Sequence, residues 1–163
     1  MAEGKTPANL LFLREEDLRQ GIELLFYAYR DFTAEADAVL AVLGFGRAHH
    51  RVIHFVNRHP GIRVADLLDI LKITKQSLSR VLGQLVREGY IVQRPGTSDR
   101  RQRLLELAPK GTELERRLTE DQRALVARAY RAAGAEAVDG FRRVLLGLVN
   151  EADRGRFTGA ARR

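Results

Sequence analysis

The sequence predicts a mainly α-helical protein with one small β-hairpin. Apolar residues recur at three- and four-residue spacing over most of the chain, which is the period of a helix buried on one face. Two short segments of this kind, Val64–Leu71 and 74–88, meet at a tight turn around Lys72. Two apolar runs follow, 90–93 and Arg103–Leu107, on either side of a loop rich in Arg, Gly, Ser and Asp. Helix, turn, helix and hairpin in this order outline a winged helix-turn-helix.

The composition sets bounds on the class of protein. A chain of 163 residues makes one domain, or a small domain with helical extensions, and 45% hydrophobic residues are enough for a core. No stretch reaches the roughly 18–20 apolar residues that span a bilayer, and the first residues lack the basic and apolar segments of a signal peptide. The absence of cysteine excludes disulfides and thiolate metal sites. We therefore expect a cytoplasmic protein with no membrane partner.

The first helix is expected to begin at Glu15, because the acidic residues of its first turn suit the positive end of the helix dipole. It is expected to end near Glu35, with residues 37–43 adding a short separate turn of helix before Gly44. Residues 1–13 are read as an N-terminal tail. The apolar stripe of this helix repeats at helical spacing: Leu18, Ile22, Leu25, Phe26, Tyr29 and Phe32.

A second helix is expected over Arg47–Arg58. Pro60 and Gly61 stop it, because proline cannot continue a helix and glycine allows the turn. Ile62–Arg63 is expected to add a short strand beside the hairpin. Val64–Leu71 then forms the first helix of the helix-turn-helix, and its inward residues are Val64, Leu67, Leu68 and Leu71.

The helix over 74–88, which we call the reading helix, carries the residues best suited to contact DNA. Its buried stripe consists of Leu78, Val81, Leu82, Leu85 and Val86. Its opposite face presents Lys75, Gln76, Ser79 and Arg80, whose side chains can bind base edges and phosphates. Thr74 stands at the N-cap position and Gly89 just past the C-terminal end. Gly83 costs about 1 kcal/mol relative to alanine in mid-helix, which a close approach of another backbone would explain.

Two more helices are expected after the hairpin. The first begins at Pro109 and ends at Gly134, and its buried face consists of Leu114, Leu118, Leu125 and Val126. The second covers 136–152 and is so apolar on one side that a partner helix must cover it, while 153–163 form a basic tail. The chain is thus divided into an N-terminal tail and dimerisation helix (1–45), a winged helix-turn-helix (46–108) and C-terminal dimerisation helices with a tail (109–163).

The net charge of +7 is unevenly distributed. Residues 1–45 carry four basic and eight acidic side chains, a net charge of −4, whereas residues 72–103 carry eight basic and two acidic side chains, a net charge of +6. A basic patch confined to the helix-turn-helix and its hairpin indicates a polyanionic partner. A merely solvated basic surface is the alternative, but the charge coincides with the fold pattern.

From Asp99 to Gly111 the chain reads DRRQRLLELAPKG, which resembles the wing motif of the MarR family of transcriptional regulators. That motif is Asp-x-Arg-Ser followed by Leu-Thr-x-x-Gly. Four residues fall at the family's spacing: Asp99, Arg101, Leu107 and Gly111. Gln102 replaces the usual Ser, and Ala108 the usual Thr. The likeness in pattern, spacing and charge covers about 41–114, and the segments GFGRAHHRVIHFV and ITKQSLSRVL are similar to the PetP-like branch of the family.

The resemblance implies a homodimer that binds a palindromic operator in double-stranded DNA, as a repressor or an activator. Its reading helix would enter the major groove. Bases and phosphates would be contacted by Lys75, Gln76, Ser79 and Arg80, and the DNA backbone would be anchored by Thr74 and Ser77. In the wing, Arg101 would reach into the minor groove, and Asp99 would orient it through a salt bridge. Further phosphate contacts would come from Arg94, Arg100 and Arg103. Asp99 could instead be an ordinary turn residue.

The resemblance also implies a pocket for a small aromatic or anionic effector between the dimerisation helices and the winged domain. The residues that could line it are Phe26, Tyr29, Arg30, His50 and His54. The alternative is that Phe26 and Tyr29 belong to the core and that Arg30 is solvated. His50 and His54 have a spacing that zinc ligands also use, but no cysteine or nearby carboxylate completes a tetrahedral set, so neither a metal nor another cofactor is expected.

Two functions remain open at this point. One is a dimeric regulator that responds to a small molecule or another signal, and the other is a constitutive architectural DNA-binding protein without an effector. An enzyme is not expected, because the sequence contains no recognisable nucleophile–base pair, glycine-rich phosphate loop or catalytic pair of carboxylates.

Overall fold

The computed structural model describes residues 12–158, which contain seven α-helices and a three-stranded antiparallel sheet. The helices are α1 (Glu15–Val42), α2 (Arg47–Arg58), α3 (Val64–Leu71), α4 (Lys75–Arg87), α5 (Pro109–Ala133), α6 (Ala135–Leu148) and α7 (Glu151–Thr158). The strands are β1 (Ile62–Arg63), β2 (Ile91–Pro95) and β3 (Arg103–Leu107), in the sheet order β1-β3-β2. The chain forms two compact units that meet within α5, the first ending at Gln122 and the second beginning at Arg123. The mainly α-helical fold with a β-hairpin wing is confirmed.

Helix α1 is longer than predicted. The expected end near Glu35 is wrong, because α1 continues without a break to Val42. Residues 35–42 contain three alanines and neither glycine nor proline, so the helix has no reason to stop there. Ala36 and Leu40 are buried and extend the apolar stripe. The helix ends only where Gly44 adopts a φ of +70°, a conformation that glycine tolerates.

The segment from α2 to β3, which we call the winged unit, has the elements that the sequence predicts. The bounds of α2, β1 and α3 are those predicted, and β2 continues two residues beyond the predicted run. Strand β3 is central: Ile62 of β1 pairs with Leu105, and Ile91 of β2 pairs with Leu107. Its elements share one core with α1 and the first part of α5, and the core residues include Leu40, Val52, Ile53, Val56, Leu67, Leu78, Leu85, Ile91, Leu105 and Leu118.

Two glycines have opposite surroundings. A Cβ at Gly111, the last position of the wing motif, would overlap the carbonyl oxygen of Tyr90, so glycine is required where the first turn of α5 passes the residue before β2. At Gly83 the close approach of another backbone that would explain the glycine is not found among residues 12–158. Apart from its chain neighbours and the backbone of α4 itself, no heavy atom lies within 4 Å of a Cβ built there.

The second unit differs from the prediction at its end. The helix expected over 136–152 stops at Leu148. Its last two expected residues and residues 153–158 of the expected tail form α7 instead. The reason is a new helix start: the Asn150 side chain accepts a hydrogen bond from the Ala152 amide, at 3.2 Å. Arg154 then donates to the carbonyl oxygens of Val149 and Gly147 at the end of α6. Residues 1–11 and 159–163 of the two predicted tails lie outside the described residues.

Among the helices of residues 12–158, none combines the length and the apolar character that a membrane span requires.

Candidate nucleic-acid interface

The start of the reading helix, α4, is fixed by a turn and a cap. Lys72 adopts the left-handed conformation, with a φ of +52°, at the turn between α3 and α4. The Thr74 hydroxyl accepts a hydrogen bond from the Ser77 amide at 3.1 Å and donates to the Ser77 hydroxyl at 2.9 Å. This is the predicted N-cap, and at the other end Gly89 has the predicted role with a φ of +82°.

The two faces of α4 are separated as the sequence predicts. Its apolar stripe packs inward, and Leu78, Val81 and Leu85 are almost completely buried. The exposed residues of its outer face are Lys75, Gln76, Ser79 and Arg80. The helix is therefore held by its inner face and presents a polar, basic face to solvent. Contacts of that face with DNA stay a prediction.

The wing is a tight loop closed by backbone hydrogen bonds. The Gly96 amide donates to the Gln102 carbonyl oxygen, and the Gln102 amide donates to the Asp99 carbonyl oxygen, both at 3.0 Å. A Cβ at Gly96 would lie 2.5 Å from the Asp99 carbonyl oxygen, so glycine is needed at this turn. The Asp99 carboxylate accepts a hydrogen bond from the Arg101 backbone amide at 2.9 Å. Asp99 thus orients the backbone at Arg101, while the implied salt bridge to its side chain stays a prediction.

Basic side chains gather on α4 and the wing. Those predicted to contact DNA are all exposed: Lys75, Arg80, Arg94, Arg100, Arg101 and Arg103. Arg94 pairs with Glu106 across the hairpin at 3.4 Å, a surface contact that leaves most of the Arg94 side chain exposed. The net charge of this surface suits a polyanion.

The residues predicted to line an effector pocket fall into two groups. Phe26 is 65% exposed and packs edge-on against Tyr27, and Arg30 pairs with Asp31 at 2.8 Å. Tyr29, in contrast, joins α1 to α2, because its hydroxyl accepts a hydrogen bond from Arg51 at 3.2 Å. The alternative that Phe26 and Tyr29 belong to the core of a single chain is wrong, since both are exposed.

His50 and His54 are half-buried on α2. Burial lowers the pKa of His50 below its ordinary value of 6.5, and the neighbouring His54 lowers it further. Burial also lowers the pKa of His54, although Glu115, 4.0 Å away, has the opposite effect. Both imidazoles therefore favour the neutral form. Within residues 12–158, no group of three or more His, Cys, Asp or Glu side chains has a metal-binding arrangement.

The second unit contains a cleft of about 470 Å³ at the turn between α5 and α6. The residues that line it are Tyr130, Arg131, Ala135, Val138, Asp139 and Arg142. None of them belongs to the predicted effector pocket, so that pocket stays a prediction.

Sequence reasoning missed the role of His49. This residue is buried and links α2 to the reading helix through Gln84. A signal was present in the spacing, because Gly46 precedes the helix and His49 lies three residues later, as in a capping box.

Comparisons with known proteins agree with this geometry. A family model described as the MarR family matches residues 43–102. The HTH-type transcriptional regulator PetP of Rhodobacter capsulatus is 51% identical over 156 residues, which cover 94% of each chain. The predicted likeness to the PetP-like branch therefore extends over nearly the whole sequence.

Solved structures share the fold. Streptococcus pneumoniae FabT in complex with DNA gives a TM-score of 0.71 at 20% identity, covering 81% of this chain and 94% of that one. A mutant of MarR from E. coli complexed with operator DNA gives a TM-score of 0.62 at 19% identity, covering 86% and 99%. At these identities the likeness establishes the fold alone.

Proposed function

This chain belongs to the MarR family of DNA-binding transcriptional regulators, and we propose that two copies of it together read an inverted repeat in double-stranded DNA. The observation that carries this proposal is the outer face of α4. Lys75, Gln76 and Arg80 are exposed there, while the inner face of the same helix is buried in the core. An exposed helix about 10–12 Å across, rich in Arg, Lys and Gln, fits a major groove about 12 Å wide.

Within this proposal, the wing contacts the adjacent minor groove. The tight turn at Gly96 and the hydrogen bond from the Arg101 amide to Asp99 support a fixed backbone there. Arg101 is exposed at the tip, and a narrow A·T-rich minor groove concentrates the negative potential that attracts such a side chain. Arg94, Arg100 and Arg103 add contacts to phosphates.

The second copy is proposed because two helices have uncovered apolar faces. On α1 the exposed residues include Leu18, Ile22 and Phe26, and on α6 they include Phe141, Val144 and Leu148. Such a large amount of exposed apolar surface on a folded chain favours a partner. Charge favours a second copy of the same chain: α1 has seven acidic and two basic residues, whereas residues 123–148 have two acidic and five basic. The opposite net charges of the two segments favour a pairing in which α1 of one copy lies against residues 123–148 of the other.

To read a palindromic site, such a pair has to present its two reading helices about one turn of DNA, roughly 34 Å, apart. An effector that binds between the helices of the pair and the winged units would change that spacing only if it preferred one arrangement over the other. The residues proposed to bind it are Tyr29, which is bonded to Arg51 of α2, and the half-buried His50 and His54 of α2, together with Phe26 and Arg30.

The proposed role of the reading helix is tested by selection from a random duplex pool. The wild-type chain and Arg80→Ala are compared at near-physiological salt. Arg80→Ala is expected to relax the base preference, at a cost of about 1–3 kcal/mol if Arg80 binds a guanine. The matched control is Arg116→Ala, which removes the same charge from α5, where Arg116 is engaged by Glu113 and Glu120.

If Arg80→Ala selects the same site as the wild type but its binding depends less on salt, Arg80 contacts a phosphate and not a base. A wild-type chain that enriches no sequence, and whose binding disappears as the salt concentration rises, would instead support the architectural alternative.

The proposed role of the wing is tested with Arg101→Ala on duplexes that share a core site and differ in their flanks. Affinity should fall most on A·T-rich flanks, because the minor groove is narrowest there. An equal loss on G·C-rich flanks would contradict insertion into the minor groove.

A further inference from the structure

A buried histidine links the first helix of the winged unit to the reading helix. His49 is 6% exposed and lies in the first turn of α2. Its ring stacks on Phe45, with centroids 4.7 Å apart and planes inclined by 13°. A buried imidazole without partners would be costly, so the partners of its two nitrogens are informative.

The hydrogen bonds of His49 fix its tautomer. The Gly46 backbone amide donates to Nδ1 at 3.1 Å, so Nδ1 must carry a lone pair. The proton of the neutral ring is therefore on Nε2, which donates to Oε1 of Gln84 at 2.9 Å. The amide nitrogen of Gln84 in turn donates to Oε1 of Glu88 at 3.0 Å. The result is a directed chain of hydrogen bonds from the start of α2 into α4.

Gln84 stands four residues after Arg80, at the edge between the buried stripe and the outer face of α4. Apolar contacts such as those of Leu78 and Leu85 hold the helix against the core but have little directional preference. A hydrogen bond does have a preferred direction. The bond from His49 to Gln84 therefore restrains the rotation of α4 about its own axis.

A second restraint acts at the same end of α4. Lys110 donates from Nζ to the Glu88 carbonyl oxygen at 2.9 Å and lies 4.3 Å from the centroid of the Tyr90 ring. The Tyr90 ring meets Phe45 edge-on at 5.2 Å, and Phe45 stacks on His49. The C-terminal end of α4 is thus held on two sides, by His49 and by Lys110.

We propose that His49 is a positioning residue, which sets the rotation of the reading helix and thereby its DNA sequence preference without contacting DNA. This inference rests on the proposed function. A rotation of about 10° moves a side-chain end that is 5–6 Å from the helix axis by roughly 1 Å. A shift of that size degrades a hydrogen bond to a base edge, because such bonds tolerate only a few tenths of an ångström.

The test compares His49→Phe, which keeps an aromatic ring on Phe45 but removes both nitrogens, with Gln84→Met and the double variant. For each, we measure the dissociation constant for the duplex that the wild type selects and for a scrambled duplex of the same composition. The dissociation constant for the scrambled duplex, divided by that for the selected duplex, should fall about fivefold or more in each single variant, and no further in the double variant. Arg116→Ala, which lies on α5 outside this chain of hydrogen bonds, is the control and should retain the ratio.

A merely structural role predicts something else. A lower folded fraction weakens apparent binding to both duplexes equally and leaves their ratio unchanged, and an unchanged ratio would overturn the inference. If His49→Phe does not fold, Gln84→Met decides the question alone.

Nitrogen NMR of the wild-type chain gives a check that needs no DNA. The His49 ring should carry its proton on Nε2, and that resonance should shift in Gln84→Met. A proton on Nδ1 would overturn the positioning role even if the wild type discriminates between duplexes. If the wild type has the expected tautomer but binds both duplexes equally well, the proposed function is wrong and the bond from His49 to Gln84 is not.

Discussion

Helices α4 and α1 are both amphipathic, yet only one of them has its apolar face covered. In α4 the stripe is sealed within one chain, and Leu85 is 0% exposed. In the first half of α1 the stripe faces solvent, and Ile22 is 69% exposed. The same three- and four-residue spacing therefore occurs on a buried face in α4 and on an exposed face in the first half of α1, and we propose that a second copy covers the exposed one.

The buried face of α4 and the exposed face of α1 suggest which steps of DNA recognition we assign to one chain and which to two. The winged unit has a closed core, capped helices and a closed wing loop, so each chain can present a reading helix by itself. The apolar stripe of α1 and the apolar face of α6, in contrast, are exposed in the single chain. We infer that recognition of a half-site is a property of one chain, and that recognition of a palindrome is a property of two.

The largest effect is expected in the closed core. Leu85→Ala should lower the free energy of unfolding by about 2–5 kcal/mol, because it leaves a cavity among well-packed side chains. Urea denaturation followed by circular dichroism measures it. Ile22→Ala is the matched control on the open stripe, and it should cost much less in a dilute sample, where copies are apart. Equal losses for the two variants in dilute solution would remove the contrast between the helices.

The second largest effect is expected on self-association through the exposed face of α1. Ile22→Asp should weaken self-association at least about tenfold, since a buried carboxylate in an apolar interface is unfavourable. Sedimentation equilibrium over a range of concentrations measures the association constant. Val42→Asp, at an 86% exposed position near the end of α1, is the control and should associate like the wild type. Association unaffected by Ile22→Asp would exclude this face of α1 from the interface.

A third pair of variants tests packing at the edge of the winged unit. Gly111→Ala should destabilise by roughly 1–3 kcal/mol, because the new methyl group meets the Tyr90 carbonyl oxygen. Gly83→Ala, in open space within α4, should stabilise by about 0.5–1 kcal/mol through helix propensity. Thermal unfolding of both variants measures the difference. A destabilising Gly83→Ala would point to a close neighbour in the assembled state.

The smallest effect concerns the two half-buried histidines of α2. Because burial lowers the pKa of both His50 and His54, the unfolded chain binds more protons than the folded chain as the pH falls through about 6.5. The free energy of unfolding should therefore decrease as the pH falls through this range. His50→Gln and His54→Gln should each make that decrease shallower in denaturation curves recorded from neutral to mildly acidic pH. Unchanged pH dependence in both variants would contradict the role of burial.

The sequence was most informative where local chemistry decides the structure. Thr74, Lys72 and Gly89 mark the limits of α4 through caps and turns, and the bounds of α2 and α3 were predicted to the residue. Prediction failed where the end of a helix depends on a tertiary contact or on the lack of a residue that stops the helix. The continuation of α1 past Glu35 depends on burial of Ala36 and Leu40 against the winged unit.

For the candidate site, spacing alone gave the outer face of α4 and the tip of the wing. It could not give the bond from His49 to Gln84, because these residues are 35 positions apart in the chain. It also could not show that Phe26 is exposed, since an apolar stripe has the same period whether its own chain or a second copy covers it.

Above all, we propose that two copies of the chain read one inverted repeat. The most direct measurement is the mass, by native mass spectrometry, of the complex with a duplex carrying the selected repeat and with a duplex carrying one half of it. We predict two chains on the full repeat, bound more tightly than on the half-site, with Ile22→Asp losing that advantage. A single chain on the full repeat, bound as tightly as on the half-site, would contradict the claim.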